Sequence, residues 1–88
     1  MTERPTLLEF PCAFPVKIMG EAKEDFAEAM TEIMLRHAPD FVASSMEMKT
    51  SRSGKYVSLT CTITAVSQFQ LDGLYREISG HPMVAMAL

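Results

Sequence analysis

The stretch YVSLTCTITAV at residues 56–66 decides the fold of this chain. Apolar and polar side chains alternate strictly along it and β-branched residues are frequent, which predicts a long β-strand with one apolar and one polar face. The apolar positions are Val57, Leu59, Cys61, Ile63 and Ala65, and the polar positions are Tyr56, Ser58, Thr60, Thr62 and Thr64. Such a strand is typical of the centre of an antiparallel sheet that buries one face and leaves the other open.

Shorter strands are predicted on both sides of the long one, because apolar and polar residues also alternate at residues 14–20, 45–50 and 83–88. A polar turn at residues 51–54 joins the second strand to the long third strand as a hairpin.

Two helical segments separate these strands. The first covers residues 24–37, where apolar residues recur at helical spacing until Pro39 ends the helix. The second begins at a capping box formed by Ser67 and Gln70 and ends at Gly80. Gly73 inside it costs up to about 1 kcal/mol relative to alanine, which suggests close packing against a neighbouring element.

The order β-α-β-β-α-β predicts a ferredoxin-like α+β sandwich, in which two helices cover one face of a four-stranded antiparallel sheet. Right-handed crossovers place the first and third strands at its centre. The strands at residues 45–50 and 83–88 then become edges with unpaired backbone groups, and we expect a homodimer from such edges.

The composition indicates one small folded domain. The chain has 88 residues, of which 48% are hydrophobic and 22% are charged, and its net charge is −3. We assign residues 1–13, which contain Pro5 and Pro11, to an N-terminal arm pinned by Leu7, Leu8 and Phe10, and residues 14–88 to the domain. The acidic balance argues against a nucleic-acid partner. Without an apolar span or a signal sequence, we expect a cytoplasmic protein that does not enter membranes.

The cysteines and histidines do not form a metal-binding pattern. Cys12 and Cys61 are expected to stay reduced in a chain without a signal sequence. Together with His37 and His81 they lack the spacing of a zinc site. We therefore predict no metal and no cofactor.

Five residues are candidates for binding a ligand or partner: Lys17, Gly20, His37, Lys55 and Tyr56. Lys17, Lys55 and Tyr56 are suited to an anionic small molecule at the open sheet face, although lysines on such a face are more often simply solvated. His37 can bind an anion, or it can be stabilised by the carboxyl end of its own helix.

No catalytic signature is present, and we predict that the protein is not an enzyme. The serines lie outside any nucleophile elbow, and no glycine-rich phosphate loop occurs. Acylphosphatases share the topology, but the first strand lacks their glycine-rich arginine loop. A small hydrolase is the weakest alternative and predicts turnover that depends on Lys17 or His37.

The chain resembles the YbeD-like family of small bacterial proteins over nearly its whole length. The matching residues are Leu7-Leu8-Glu9-Phe10-Pro11, Phe14, Lys17, Met19, Gly20, Arg36-His37-Ala38-Pro39, Gly54, Tyr56, Ser58, Leu74-Tyr75, Val84, Met86 and Leu88. The resemblance implies a ferredoxin-like fold similar to the regulatory domain of phosphoglycerate dehydrogenase and no established activity. The chain departs from the family pattern at Pro15, Gly73 and Ala85.

Residues and resemblance together favour a regulatory or ligand-binding module without catalytic activity. The hypothesis is that the open face, or a pocket at a dimer seam, holds a small metabolite. The alternative is an adaptor that uses the same face to bind a protein partner.

Overall fold

Four antiparallel strands and two helices form the predicted sandwich in the computed structural model, which describes residues 9–88. In chain order the elements are β1 (Cys12–Glu21), α1 (Phe26–His37), a 3-10 turn (Ala43–Ser45), β2 (Glu47–Thr50), β3 (Tyr56–Ala65), α2 (Gln68–Ser79) and β4 (Val84–Ala87). The sheet order is β2-β3-β1-β4, which confirms the ferredoxin-like fold and the central position of the first and third strands.

The two central strands pair along their full length. Their register runs from Cys12 opposite Ala65 to Glu21 opposite Tyr56. β4 pairs with the end of β1, with an irregularity between Met19 and Gly20. β2 pairs only with β3 and therefore forms one edge of the sheet.

β1 begins two residues earlier than predicted, so Cys12 and Ala13 belong to the strand and not to the arm. Pro15 is tolerated inside the strand because its backbone nitrogen points away from β3. Lys17, two residues later, directs its N–H to Leu88 on the β4 side. The missing N–H of Pro15 thus costs no bond to β3.

The expectations for Pro5, Leu7 and Leu8 in the arm lie outside the described residues. Phe10 does pack against the core.

β2 is shorter than the predicted strand at residues 45–50. The Ser45 hydroxyl donates to the Val42 carbonyl, and the Met46 N–H donates to the Ala43 carbonyl. These local bonds close a 3-10 turn, so strand pairing starts only at Glu47.

The core lies between the helices and one face of the sheet. β3 contributes all five of its predicted apolar positions, and α1 and α2 contribute the apolar stripes expected from their spacing. Fully buried side chains are Val16, Ile18, Phe26, Met30, Ile33, Met34, Leu59, Cys61, Ile63, Leu74 and Ile78. No polar or charged side chain is buried in the part of the chain that the structure describes. Packing of apolar surface therefore holds the helices to the sheet.

Candidate functional site

The helices cover one face of the sheet and leave the other face open. Side chains that alternate with the buried positions of β1 and β3 lie on this second face, and β2 and β4 contribute the side chains in register with them. We call this surface the open face, and it consists of Ala13, Pro15, Lys17, Met19, Glu21, Glu47, Lys49, Tyr56, Ser58, Thr60, Thr62, Thr64, Met86 and Leu88.

One end of the open face is apolar. Ser58 lies opposite Met19 on β1 and Lys49 on β2, and Met19 in turn lies opposite Met86 on β4. Met19 is 40% exposed, Met86 is 51% exposed and the adjacent Leu88 is 71% exposed. Three apolar side chains on the β1–β4 side are thus accessible to a partner.

Charged side chains border this apolar end. Lys17 lies opposite Thr60, and its backbone exchanges two hydrogen bonds with Leu88, of 3.2 and 2.8 Å. Glu47 lies opposite Thr60 on the other side, so Lys17 and Glu47 are two strands apart in the same row. The other end of the open face carries Thr62 and Thr64 and has no charged side chain.

Three shallow depressions meet at Ser58. The first, about 220 Å³, is lined by Lys17, Met19, Met86 and Leu88; the second, about 300 Å³, by Met19, Lys49 and Tyr56; and the third, about 370 Å³, by Lys17, Glu47, Lys49 and Thr60. Small-molecule sites usually enclose their ligand and direct a few fixed polar groups at it. These depressions are open to solvent and adjoin one another at Ser58.

The predicted binding residues Lys17, Lys55 and Tyr56 lie toward this face but do not converge on one point. The Lys55 ammonium lies 5.9 Å from the centroid of the Tyr56 ring. Tyr56 is opposite Glu21, which is four residues beyond Lys17 on β1. That separation is about 13 Å at the rise of an extended strand. Lys55 and Tyr56 therefore form one pair, and Lys17 stands apart from it.

Gly20 lies on the helix side of the sheet and is buried. A β-carbon at this position would clash with the Met83 carbonyl oxygen and would lie 2.8 Å from the Phe26 ring. Glycine is therefore required for close packing of α1 and the loop before β4. The structure separates Gly20 from the lysines of the open face.

His37 lies between the two helices. Its Nε2 donates to a carboxylate oxygen of Glu77 on α2 at 2.7 Å, and the Arg36 guanidinium binds the other oxygen. These hydrogen bonds, from Arg36 first and His37 second, lower the pKa of Glu77. The ion pair with Glu77 raises the pKa of Arg36. His37 and Arg36 thus hold the ends of two helices together, apart from the open face.

Gln70 connects the start of α2 to the end of α1. As predicted, the Ser67 hydroxyl accepts the Gln70 N–H at 3.0 Å. The Gln70 side chain, however, accepts from the Val66 N–H at 2.7 Å and donates to the His37 carbonyl at 2.8 Å. The second half of the capping box is therefore shifted by one residue, and it also ties the two helices together.

The chain matches one family over almost its full length. Residues 5–88 fit the model of the family described as protein of unknown function, DUF493. The chain belongs to this family. The predicted YbeD-like resemblance is thereby confirmed.

Bacterial relatives of this DUF493 chain are close in sequence and similar in length. A UPF0250 protein of Nitrosomonas europaea is 49% identical over 88 residues, with both chains fully covered. A UPF0250 protein of Leptothrix cholodnii is 52% identical over 83 residues, which cover 94% of this chain and 91% of the relative.

A solved structure shows the same fold. The solution structure of protein HP0495 from H. pylori superimposes with a TM-score of 0.77 at 19% identity and covers 99% of this chain and 90% of that protein. The similarity supports the ferredoxin-like topology of this DUF493 member.

The thiols of this DUF493 protein are free in the described residues. Burial raises the pKa of Cys61 to about 11, so this thiol stays protonated near neutral pH and is a poor nucleophile. Residues 9–88 contain no group of three His, Cys, Asp or Glu placed to hold a metal ion. Within the same residues, no helix is long and apolar enough to span a membrane.

Two features of this DUF493 structure were not predicted from the sequence. Met19 and Met86 were assigned only to alternating strand positions, but the β1–β4 register places them side by side on the open face. Glu77 was not singled out, because its partners lie about forty residues earlier in the chain. The charge of Glu77 signalled an exposed helix position but not a partner.

Proposed function

We propose that this DUF493 protein is a non-catalytic cytoplasmic binding module that presents its open face to a protein partner. The observation that supports it most directly is the accessible apolar cluster of Met19, Met86 and Leu88, bordered by Lys17 and Glu47. Apolar patches with a charged border are typical of protein–protein contacts. Methionine side chains also adapt readily to the shape of a partner.

A protein partner fits this surface better than the small metabolite that the sequence favours. The depressions around Ser58 are open, and the two that reach Met19 are lined largely by apolar surface. A small ligand gains affinity chiefly by being enclosed. A protein can instead cover all three depressions together and bury the methionines at the centre of its contact.

The open face also supports the non-catalytic part of the proposal. Lys17 and His37, the residues on which a hydrolase would depend, are on different sides of the molecule, since His37 is bound to Glu77 between the helices. Cys61 is buried against the helices. The two residues on which the hydrolase hypothesis depends are therefore not brought together.

Site-specific photocrosslinking in living bacteria tests the proposal. A photoreactive phenylalanine analogue replaces Met86 on the open face or Glu28 on the exposed side of α1. We expect a discrete adduct with another protein at position 86 and none at position 28, and we expect Met19→Glu to abolish the adduct at position 86. Mass spectrometry of the adduct identifies the partner.

The opposite result contradicts the proposal. If positions 86 and 28 gave the same adducts, or neither gave one, while a thermal-shift screen of metabolites showed stabilisation, the metabolite hypothesis would replace the adaptor. Turnover of phosphate or thioester substrates that is lost in Lys17→Ala would instead support a hydrolase.

A further inference from the structure

The free edge of β2 has a sequence that is complementary to itself. Strand β2 reads Glu47-Met48-Lys49-Thr50, with Glu47 and Lys49 on the open face and Met48 on the helix side. Glu47 and Lys49 flank Met48, so reversing the strand about Met48 exchanges the acidic and the basic position. Two antiparallel copies centred on Met48 therefore place each Glu47 opposite a Lys49.

The backbone of this edge is available for pairing. The Ser51 N–H donates to the Tyr56 carbonyl at 2.8 Å, so the backbone groups of Ser51, and by alternation those of Lys49 and Glu47, point toward β3. The N–H and C=O of Met48 and Thr50 then point away from the sheet. Neither residue has another backbone hydrogen-bond partner among residues 9–88. Met48 is thus at the centre of a strand edge whose outward backbone N–H and C=O groups are unpaired in the described residues.

The side chain of Met48 is also uncovered. It lies on the apolar side of the sheet but is 56% exposed, because the helices pack over the central strands and do not reach β2. Next to it is a hollow of about 340 Å³ whose walls include Phe26, Ala27 and Val57 together with Lys23 and Glu24. An apolar side chain beside a largely apolar hollow favours a partner that brings a further apolar side chain to the same place.

We infer that β2 pairs with β2 of a second copy of this chain around a two-fold axis at Met48. Met48 exchanges both of its backbone hydrogen bonds with Met48 of the second copy, and the two sheets become one sheet of eight strands. The two methionine side chains lie against each other between the two hollows. Both open faces stay accessible on the same side, and the apolar cluster of Met19, Met86 and Leu88 lies on the β1–β4 side of the sheet, away from the β2 edge.

Charge selects this register over its neighbours. An axis at Lys49 would place the two Lys49 side chains directly opposite each other, and an axis at Glu47 would do the same with two carboxylates. Like charges at opposed positions of antiparallel strands destabilise the pair, whereas opposite charges stabilise it. The axis at Met48 is the arrangement that pairs both charges and uses the outward backbone groups of Met48.

Charge reversal in solution tests the inference. We expect the 88-residue chain to sediment at twice its 9.8 kDa mass in analytical ultracentrifugation. Glu47→Lys or Lys49→Glu alone is expected to weaken the dimer about tenfold or more, since each replaces two attractive pairs by two repulsive ones. The double variant Glu47→Lys with Lys49→Glu restores it, and so does mixing the two single variants. The control Arg76→Glu, a charge reversal at an exposed position of α2 away from this hollow, leaves the dimer unchanged.

A disulfide experiment reports the register directly. In a Cys12→Ser background, Met48→Cys places two thiols on the axis, about 5.5 Å apart between α-carbons, which suits a disulfide. Thr50→Cys places the two thiols much farther apart. In this register Thr50 lies opposite residue 46 of the second copy, which is four residues, or about 13 Å, from Thr50 of that copy. We expect a covalent dimer from Met48→Cys and none from Thr50→Cys.

A wild-type protein that stays monomeric over the accessible concentration range would overturn the inference. A dimer that tolerates both single reversals, or that crosslinks through Thr50→Cys, would overturn it as well, and a strand of another protein captured at β2 would replace the second copy. Circular dichroism of each variant confirms that it is folded. Since the photocrosslinking test reads the open face, failure of the dimer and failure of the partner surface are distinguishable.

Discussion

At the scale of single residues, Glu77 is the polar side chain that connects the most partners between the helices. It binds Arg36 and His37 at the end of α1, while Gln70 binds the His37 carbonyl nearby. The carboxylate is partly exposed, so each bond is weakened by water and the group contributes modestly. These contacts fix the relative position of α1 and α2 more than they add to the free energy of unfolding.

Replacing Glu77 is expected to change the pH dependence of stability. Because the folded state lowers the pKa of Glu77 below its ordinary value of 4.5, its ionised form stabilises the fold above that pH, and the contribution is lost as pH falls through the lowered pKa. Glu77→Gln should cost about 0.5–1 kcal/mol near neutral pH, an amount already reduced for exposure. In strong acid, wild type and variant should become equally stable in urea unfolding.

Asp40→Asn is the matched control, because Asp40 is exposed and has no hydrogen bond or ion pair in the described residues. It should leave the free energy of unfolding nearly unchanged at both pH values. A difference for Glu77→Gln that persists in strong acid would show that its packing, and not its charge, stabilises the helix contact.

At the scale of the elements, the two glycines that the sequence singled out have different roles. Gly20 in β1 is required by the Phe26 ring and the Met83 carbonyl, which leave no room for a β-carbon. In α2, a β-carbon at Gly73 would lie 3.5 Å from the His37 ring, which is an ordinary contact distance. The close packing expected at Gly73 is therefore present at a spacing that alanine also fits.

Alanine substitutions should consequently have opposite signs at these two positions. Gly73→Ala is expected to stabilise the protein by about 0.5–1 kcal/mol, because alanine restricts the unfolded chain and favours the helix. Gly20→Ala should destabilise it by about 1–3 kcal/mol, because the added carbon displaces a buried ring or a backbone carbonyl. Thermal and urea unfolding measure both effects. A destabilising Gly73→Ala would mean that α1 and α2 approach more closely than the His37 contact indicates.

At the scale of the whole molecule, the two faces of the sheet differ in how deeply their side chains are buried. The helix side holds the fold together through apolar contacts, while most side chains of the open face are exposed. β3 shows the contrast within one strand, because Leu59 is fully buried and Thr62 is exposed. The alternation of YVSLTCTITAV therefore separates side chains that stabilise the core from side chains that lie on the open face.

Truncations on the two faces of β3 should differ sharply. Leu59→Ala removes a fully buried side chain and is expected to cost about 2–5 kcal/mol. Thr62→Ala lies on the open face and should change the free energy of unfolding by less than about 0.5 kcal/mol. Urea unfolding of both variants measures the contrast, and a large cost for Thr62→Ala would show that the threonine end of the open face is covered.

The sequence by itself determined the order of the elements, the central strand pair, the helix-side core and the end of α1 before Pro39, because hydrophobic periodicity and turn residues act locally. Only the tertiary structure decided which distant residues meet. It separated Gly20 and His37 from Lys17, brought Met19 next to Met86, and joined Glu77 to α1. Such contacts depend on strand register and helix packing, which bring residues far apart in sequence next to each other. A local sequence pattern does not specify which of these distant residues meet.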